Sequence, residues 1–401
     1  MTATDVVIIG GGPAGSTAGA LLARRGHRVC LVDKEPFPRF HIGESLLPCD
    51  LPIFEELGIE ATPPTFLRKD GAEFHDERIG VGTTFSFADG LPGTPEHAYQ
   101  VDRAAFDDAL LRNAERSGVE TRLRTRVVSV AVENGSAAVA LADGDRMDAR
   151  YVIDATGQDA MFSHRQRSHR PIKDFGVAAV FCHFQGLSDR AWAELAETGN
   201  IRVLLIEDGW IWLIPLHEKR LSVGVVTRRQ GVTTALFDAT YAASPMLQRL
   251  TAGAARTEPR VIRNFSYRNL APYGPRWCCI GDAALFLDPV FSTGVSLGMM
   301  GAQHTAQKLA AALETRSEDD PNLMTPVSEH MVVAYRAFGS LVRAFYNTPL
   351  VHNVFFAATP DPAIRAGIIS LLAGDVWRDD NVFQHKLLAS RRRRFEPYEE
   401  D

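Results

Sequence analysis

Apolar residues along this chain come in runs whose spacing changes from one stretch to the next. Residues 5–33 read as strand, glycine-rich turn, helix and strand: the apolar run DVVIIG, the turn GGPAGS, the helix-spaced TAGALLARRG, and a second apolar run, HRVCLVD, ending on Asp33. Residues 53–58 suggest a short helix, and RAAFDDALLRNAERSG after Asp102 has apolar positions at helical spacing and stops at Gly118. Residues 125–157 read as three short strands joined by Asn134-Gly135-Ser136 and Asp143-Gly144 turns. Residues 174–227 are strand-rich, with the runs GVAAVFCHF, IRVLLIEDGWIWLIPL and RLSVGVVT, and the chain from Ala302 onward is mostly helical. The pattern predicts a nucleotide-binding domain that the chain leaves and re-enters, over residues 1–170 and 271–320. Between these lies a sheet-rich substrate domain, 171–270, and after them a helical lobe, 321–401.

Within the strand-rich part, alternation puts Trp210 and Trp212 on one face of a strand, because side chains two apart point the same way. By itself such a pair is ordinary core.

Composition narrows the function classes. A chain of 401 residues with 45% apolar and 23% charged residues has room for two to three domains with a large core. A formal charge of −6 argues against general nucleic-acid binding, which needs a basic surface. The one strong basic run, Arg391 to Arg394, is followed by acidic residues and reads as a solvated end. Five cysteines without a CxxC pair argue against a disulfide framework or a metal site and fit a reducing cytoplasm. Neither a signal peptide nor a transmembrane run is expected, so no membrane partner is expected either.

Two motifs carry cofactor chemistry. Gly10, Gly12 and Gly15, with Pro13 and Ala14 between, form GxGxxG after an apolar strand and at the start of a helix. Glycines let the backbone turn tightly and approach a pyrophosphate, whose charge the helix N-terminus favours. Asp33, eighteen residues after Gly15, is placed to accept from ribose hydroxyls. This motif does not choose between FAD and NAD. The second, CCIGDAALFLDPVFSTGVSLGMMGA (278–302), resembles the second FAD fingerprint of the flavoprotein monooxygenase class, in which the aspartate, here Asp282, meets the ribityl chain. Asp154-Ala155-Thr156-Gly157 matches another piece of that class.

Added to these, the loop PFPRFHIGESLLP (36–48) and the stretch GWIWLIP resemble the flavin-dependent halogenase family, whose WxWxIP motif falls on Trp210, Trp212, Ile214 and Pro215. The segments FYN (345–347) and SLLAGDVW (370–377) are similar to those of halogenases of phenols and pyrroles. The resemblance implies an α/β fold: a Rossmann-like FAD-binding domain of the flavoprotein monooxygenase type, a β-sheet substrate domain and a helical C-terminal lobe. It implies that reduced FAD, supplied by a separate flavin reductase, reacts with O2 to a flavin hydroperoxide, which chloride or bromide attacks. The resulting hypohalous acid then travels through a tunnel to a lysine beside an electron-rich arene. The resemblance places that lysine at Lys69, with Ser292 near it. Halide would meet the backbone N–H groups of Thr293 and Gly294 at a helix start. Ser292 also stands where a helix N-cap would. The cofactor-facing set extends to Lys34, Ile42, Ser45, Arg103, Val127, Gly294 and Val295. No histidine, including His41 in the loop, is given a role.

Phe291 stands where the tryptophan-specific members carry a glutamate that assists the lysine. Without that carboxylate, a phenol or pyrrole, which activates its own ring, is the expected substrate class. The shorter chain suggests a more open site that suits an arene on an acyl or peptidyl carrier protein. The competing expectations are a flavin-dependent aromatic hydroxylase and a non-oxygenating flavoprotein reductase.

Overall fold

The structure is a computed structural model describing residues 4–133, 135–390, 392 and 394–399. Asn134 of the expected turn, and Arg391, Arg393, Glu400 and Asp401 of the terminal run, lie outside the described residues.

The opening pattern forms the strand Thr4–Ile9, the helix Pro13–Arg24 and the strand Val29–Val32. Thr4–Ile9 pairs in parallel with Val29–Val32 on one side and with Arg146–Asp154 on the other. Trp277–Cys279 then adds in parallel beyond Arg146–Asp154, so the chain returns to this sheet after more than a hundred residues elsewhere. The opening run lacks polar alternation because both faces of the sheet are covered. Val6 and Ile8 share one core with Ala18, Leu21 and Leu22 of the helix. Val7 and Ile9 share another with Val130, Val139 and Leu141 of the hairpin Val127–Glu133/Ser136–Leu141. This is an α/β, Rossmann-like arrangement.

A second sheet has eight strands and is antiparallel apart from one parallel junction. Its centre is Ala178–Gln185, Arg220–Thr227, Gly209–Leu216 and Ile201–Ile206, to which Gly71–Asp76 and Val81–Ser86 add at one edge. The long apolar run 201–216 is thus two strands, folded back at Glu207-Asp208. The alternation of Gly209–Leu216 sends Trp210, Trp212 and Ile214 into the main core shared with the first sheet. Ile211 and Leu213 face a separate core under the helices Asp189–Ala196, Ala235–Ala243 and Pro245–Leu250. The helix Asp189–Ala196 interrupts the part read as strand-rich; its signal was Ser188, whose side chain caps the Ala191 N–H.

The helices Thr293–Thr315, Thr325–Asn347, Pro362–Leu372 and Val382–Ala389 complete the molecule. Arg392, Arg394 and Glu399 near the end of the chain are exposed, but residues 395–398 between them are packed down. Phe395 is buried against Gly339, its N–H donates to Ser340 Oγ at 3.0 Å, and Glu396 pairs with Arg336 at 2.7 Å. Burial of one aromatic side chain outweighs the charges around it. No described helix is long and apolar enough to cross a membrane.

Gly224 stands opposite Trp212 across the sheet, and a Cβ there would collide with the indole ring. Gly224→Ala is therefore expected to lower stability by about 1–3 kcal/mol, the usual cost of overpacking a core. Urea unfolding monitored by tryptophan fluorescence measures it.

Candidate active site

A cavity of about 940 Å³ runs between the two sheets, from the Gly10–Ala14 turn to the paired tryptophans. The turn is built from backbone. Gly10 has φ +109°, and a Cβ at Gly15 would collide with the Gly10 carbonyl, so helix and strand meet at van der Waals distance while Gly12 stays open to the cavity. Asp33 braces the turn, accepting from the Gly11 N–H at 2.6 Å and the Glu35 N–H at 2.8 Å. Lys34 pairs with Asp159 at the cavity rim.

The loop 39–45 lines the cavity along one side and is clamped from below by Arg103. Its guanidinium donates to the carbonyls of Ile42 (2.7 Å) and Gly43 (3.1 Å) and holds Asp107 at 2.8 and 3.0 Å. Burial, and then Arg103, push the His41 imidazole down to about 4, so it is neutral at ordinary pH. Burial raises the Asp282 carboxyl to about 7, and Arg103 opposes the rise.

The first turn of Thr293–Thr315 faces the cavity through Ser292, Thr293, Gly294 and Val295, and Gly298 follows in the second turn. Its unpaired N–H groups and the dipole of a 23-residue helix favour an anion there. Ser292 is in the left-handed conformation, φ +58°, and its side chain makes no capping bond. Its hydroxyl is therefore not consumed by the helix it precedes.

Trp210, Trp212 and Ile214 form the wall at the other end. The two indoles are 1% and 4% exposed, and their rings lie 6.0 Å apart, tilted by 49°. Each is pinned by its N–H: Trp212 donates to Ser222 Oγ at 3.1 Å, and Trp210 to the Tyr346 hydroxyl at 2.8 Å. Tyr346 in turn donates to Asp288 at 3.0 Å. Asp288 also accepts the N–H groups of Gly176 and Val290, so the wall is anchored to the loop that carries Phe291 and Ser292.

Lys69 lies at the end of the strand Phe66–Lys69 and is 1% exposed. Its Nζ donates to Ser45 Oγ at 2.9 Å and to the Leu46 carbonyl at 2.8 Å. Burial depresses its pKa to about 7. Lys69 does not itself line the cavity; Ser45 does, and stands between the two. Phe291 packs edge-on against Phe345, 5.7 Å between centroids. Phe291, Pro215 and Gly15 also lie behind the lining, whereas Gly10, Gly12, Pro13, Ala14, Asp33, Lys34, Ile42, Ser45, Arg103, Val127, Asp282, Ser292, Thr293, Gly294 and Val295 are on it. Sequence reasoning missed Asp50, Ser296, Tyr346 and Asp288. Tyr346 falls within the FYN segment, but nothing local marks any of the four as part of the site. No group of metal-ligating side chains occurs among the described residues.

Residues 88–364 match the tryptophan halogenase family, and residues 5–164 the FAD-dependent oxidoreductases. A flavin-dependent halogenase of Armillaria mellea is 32% identical, over 96% of this chain and 83% of its own. A 1H-pyrrole-2-carbonyl-[peptidyl-carrier protein] chlorinase of Pseudomonas fluorescens is 29% identical, over 93% of this chain and 89% of its own. Among solved structures, a flavoprotein/dehydrogenase from Cytophaga hutchinsonii superposes with a TM-score of 0.87 at 28% identity, over 96% of both chains.

The depressed Lys69 pKa makes a stability statement with a definite sign. The unfolded lysine holds its proton up to about pH 10 and the folded one releases it near 7, so the unfolded state binds more protons in between and stability rises with pH there. Lys69→Met removes this dependence. The stability of the wild type relative to that variant is expected to increase from pH 7 to pH 10, as read from paired denaturant titrations.

Proposed function

From the premise that the chain belongs to the tryptophan halogenase family of flavin-dependent halogenases, we propose that it halogenates an electron-rich phenol or pyrrole through hypohalous acid delivered by Lys69. FAD is the cofactor, with halide and dioxygen as cosubstrates. The residues present fit it: the open Gly12 backbone and the helix N-terminus at Pro13 for the pyrophosphate, Asp33 at the ribose end, and a cavity long enough to reach from there to Thr293. When bound and reduced, FAD would supply the two electrons with which dioxygen, a halide ion and three protons become hypohalous acid and water. A separate flavin reductase supplies the reducing equivalents, since the chain carries a single N-terminal dinucleotide fingerprint.

In this reading the Thr293 and Gly294 N–H groups bind the halide, because a helix start offers positive potential without giving up a proton. Trp210 and Trp212 keep the arene from the cofactor and leave passage for a small oxidant. Lys69, reached through Ser45, donates a hydrogen bond to the oxygen of the hypohalous acid. The arene carbon bonds to the halogen as the O–X bond breaks, and the displaced ring proton and the hydroxide leave as water. One observation carries the proposal: an amine with a pKa near neutrality is buried beside a tryptophan-walled cavity and separated from it by one hydroxyl. A hydroxylase, in which the cofactor would pass oxygen directly to the substrate, has no use for that amine.

Phe291 supports an arene that activates itself, because no carboxylate stands at that place to remove the ring proton. The Pseudomonas relative acts on a pyrrole held by a carrier protein, and we extend that substrate form to this chain.

Two outcomes are expected. With an FADH2 source, O2, bromide and a panel of phenols and pyrroles, free and carrier-bound, mass spectrometry detects a product with the bromine isotope doublet. Lys69→Ala loses that product while flavin absorbance and binding persist; a halide-independent product heavier by one oxygen would instead mean hydroxylation. In the second, Trp210→Ala/Trp212→Ala releases more peroxide and oxygenated product per halogenated one, as measured by a peroxidase-coupled assay. Unchanged yields in the folded double variant would return the indoles to ordinary core.

A further inference from the structure

Phe291, next to Ser292, offers no carboxylate to the site. The region around Lys69 nevertheless holds a carboxylate from another part of the chain. Asp50 is 1% exposed and sits at the start of the helix Leu51–Leu57. Its Oδ2 accepts the Leu47 N–H at 3.1 Å and the Ser296 hydroxyl at 2.8 Å. The Leu47 N–H belongs to the same peptide group as the Leu46 carbonyl, which accepts from Lys69 Nζ at 2.8 Å. One amide plane therefore bonds the lysine at its oxygen and the aspartate at its nitrogen. The chain of bonds runs from Ser45 on the cavity surface through Lys69, the 46–47 peptide and Asp50 to Ser296, in the second turn of the helix whose first turn faces the cavity. The other carboxylate oxygen of Asp50 is buried with no hydrogen-bond partner, which leaves its charge to act on the amine.

We propose that Asp50 is the positioning carboxylate for Lys69: it polarises the 46–47 peptide that holds the amine and keeps that amine charged and aimed through Ser45, the task that position 291 cannot perform here. The proposal rests on the reading of Lys69 as the delivering group. Hydrogen bonds in a low-dielectric interior polarise one another along such a chain. Burial pushes the Asp50 carboxyl up to about 6, while Ser296, the Leu47 N–H and Lys69 pull it back, so it is largely ionised at pH 7. The same charge opposes the desolvation of Lys69. The other titratable groups nearby are Cys49, whose thiol burial keeps protonated, and Asp375, which acts on Cys49.

The test is a pH titration of Lys69 Nζ by 15N NMR in the full-length chain with oxidised FAD, in wild type, Asp50→Asn and Ser296→Ala. With six lysines in the chain, Lys69→Ala assigns the signal. Asp50→Asn is expected to lower the Lys69 midpoint by about one to three units, the range for loss of a close opposite charge. Ser296→Ala, which weakens the carboxylate without removing it, lowers the midpoint less and keeps the measurement possible if Asp50→Asn does not fold. Halogenated product falls several-fold in both variants, while the hypohalous acid captured by monochlorodimedone in solution does not fall. A Lys69 midpoint that stays within a few tenths of wild type in a soluble variant overturns the role of Asp50, even where product remains lysine-dependent. Product that survives Lys69→Ala overturns instead the delivery role on which this inference rests.

Discussion

An ammonium group removed from water loses hydration that only specific partners replace. Lys69 has two such partners, the Ser45 hydroxyl and the Leu46 carbonyl, and the balance left over moves its pKa to about 7. The strand Phe66–Lys69, paired only with Ala98–Val101, brings the amine inside. The loop ending in Ser45 supplies its acceptors, and Arg103 clamps that loop by its carbonyls. Asp50, tied to the helix Thr293–Thr315 through Ser296, adds the compensating charge.

The same economy of polar groups shapes the rest of the cavity. The turn at its cofactor end is built from backbone, because N–H groups and a helix dipole meet a pyrophosphate at close range, with the Arg39 guanidinium beside Gly12. Its wall is built from indoles, which are large, apolar and fixed by one N–H each. Trp212 is held within its own sheet, by Ser222 and the space above Gly224. Trp210 is held from outside it, by Tyr346 and Asp288, so the wall is tied to the helix Thr325–Asn347 and to the loop before the helix Thr293–Thr315. The carboxyls at these joints, Asp50 and Asp288, are both raised to about 6 by burial. Both keep backbone N–H donors, which lets them stay buried.

Much of this was legible in the sequence where the physics is local. A glycine turn between an apolar strand and a helix is a backbone requirement, and it marks the cofactor site without any tertiary information. The continuous run before it required a sheet covered on both faces, and the alternation in Gly209–Leu216 placed both indoles on one side. The helix Asp189–Ala196 was missed because eight residues inside a strand-rich stretch show too short a period to stand out. In the terminal segment Arg392 and Arg394 are exposed as their charge suggests, but the buried Phe395 and Pro397 were not weighed.

What the sequence determined by itself was a dinucleotide-binding turn, which follows from spacing along the chain, and, through the resemblance of its motifs to flavin-dependent halogenases, the fold class and the flavin. What only the tertiary structure decided was which groups serve one another. Asp50 meets Ser296 across 246 positions, Tyr346 meets Trp210 across 136, and Ser45 meets Lys69 across 24. Periodicity constrains neighbours within a turn or along a strand. A hydrogen bond between distant segments depends on where two sheets and a helix come to rest, and at Lys69 that packing put Ser45 between the amine and the cavity and a carboxylate behind it.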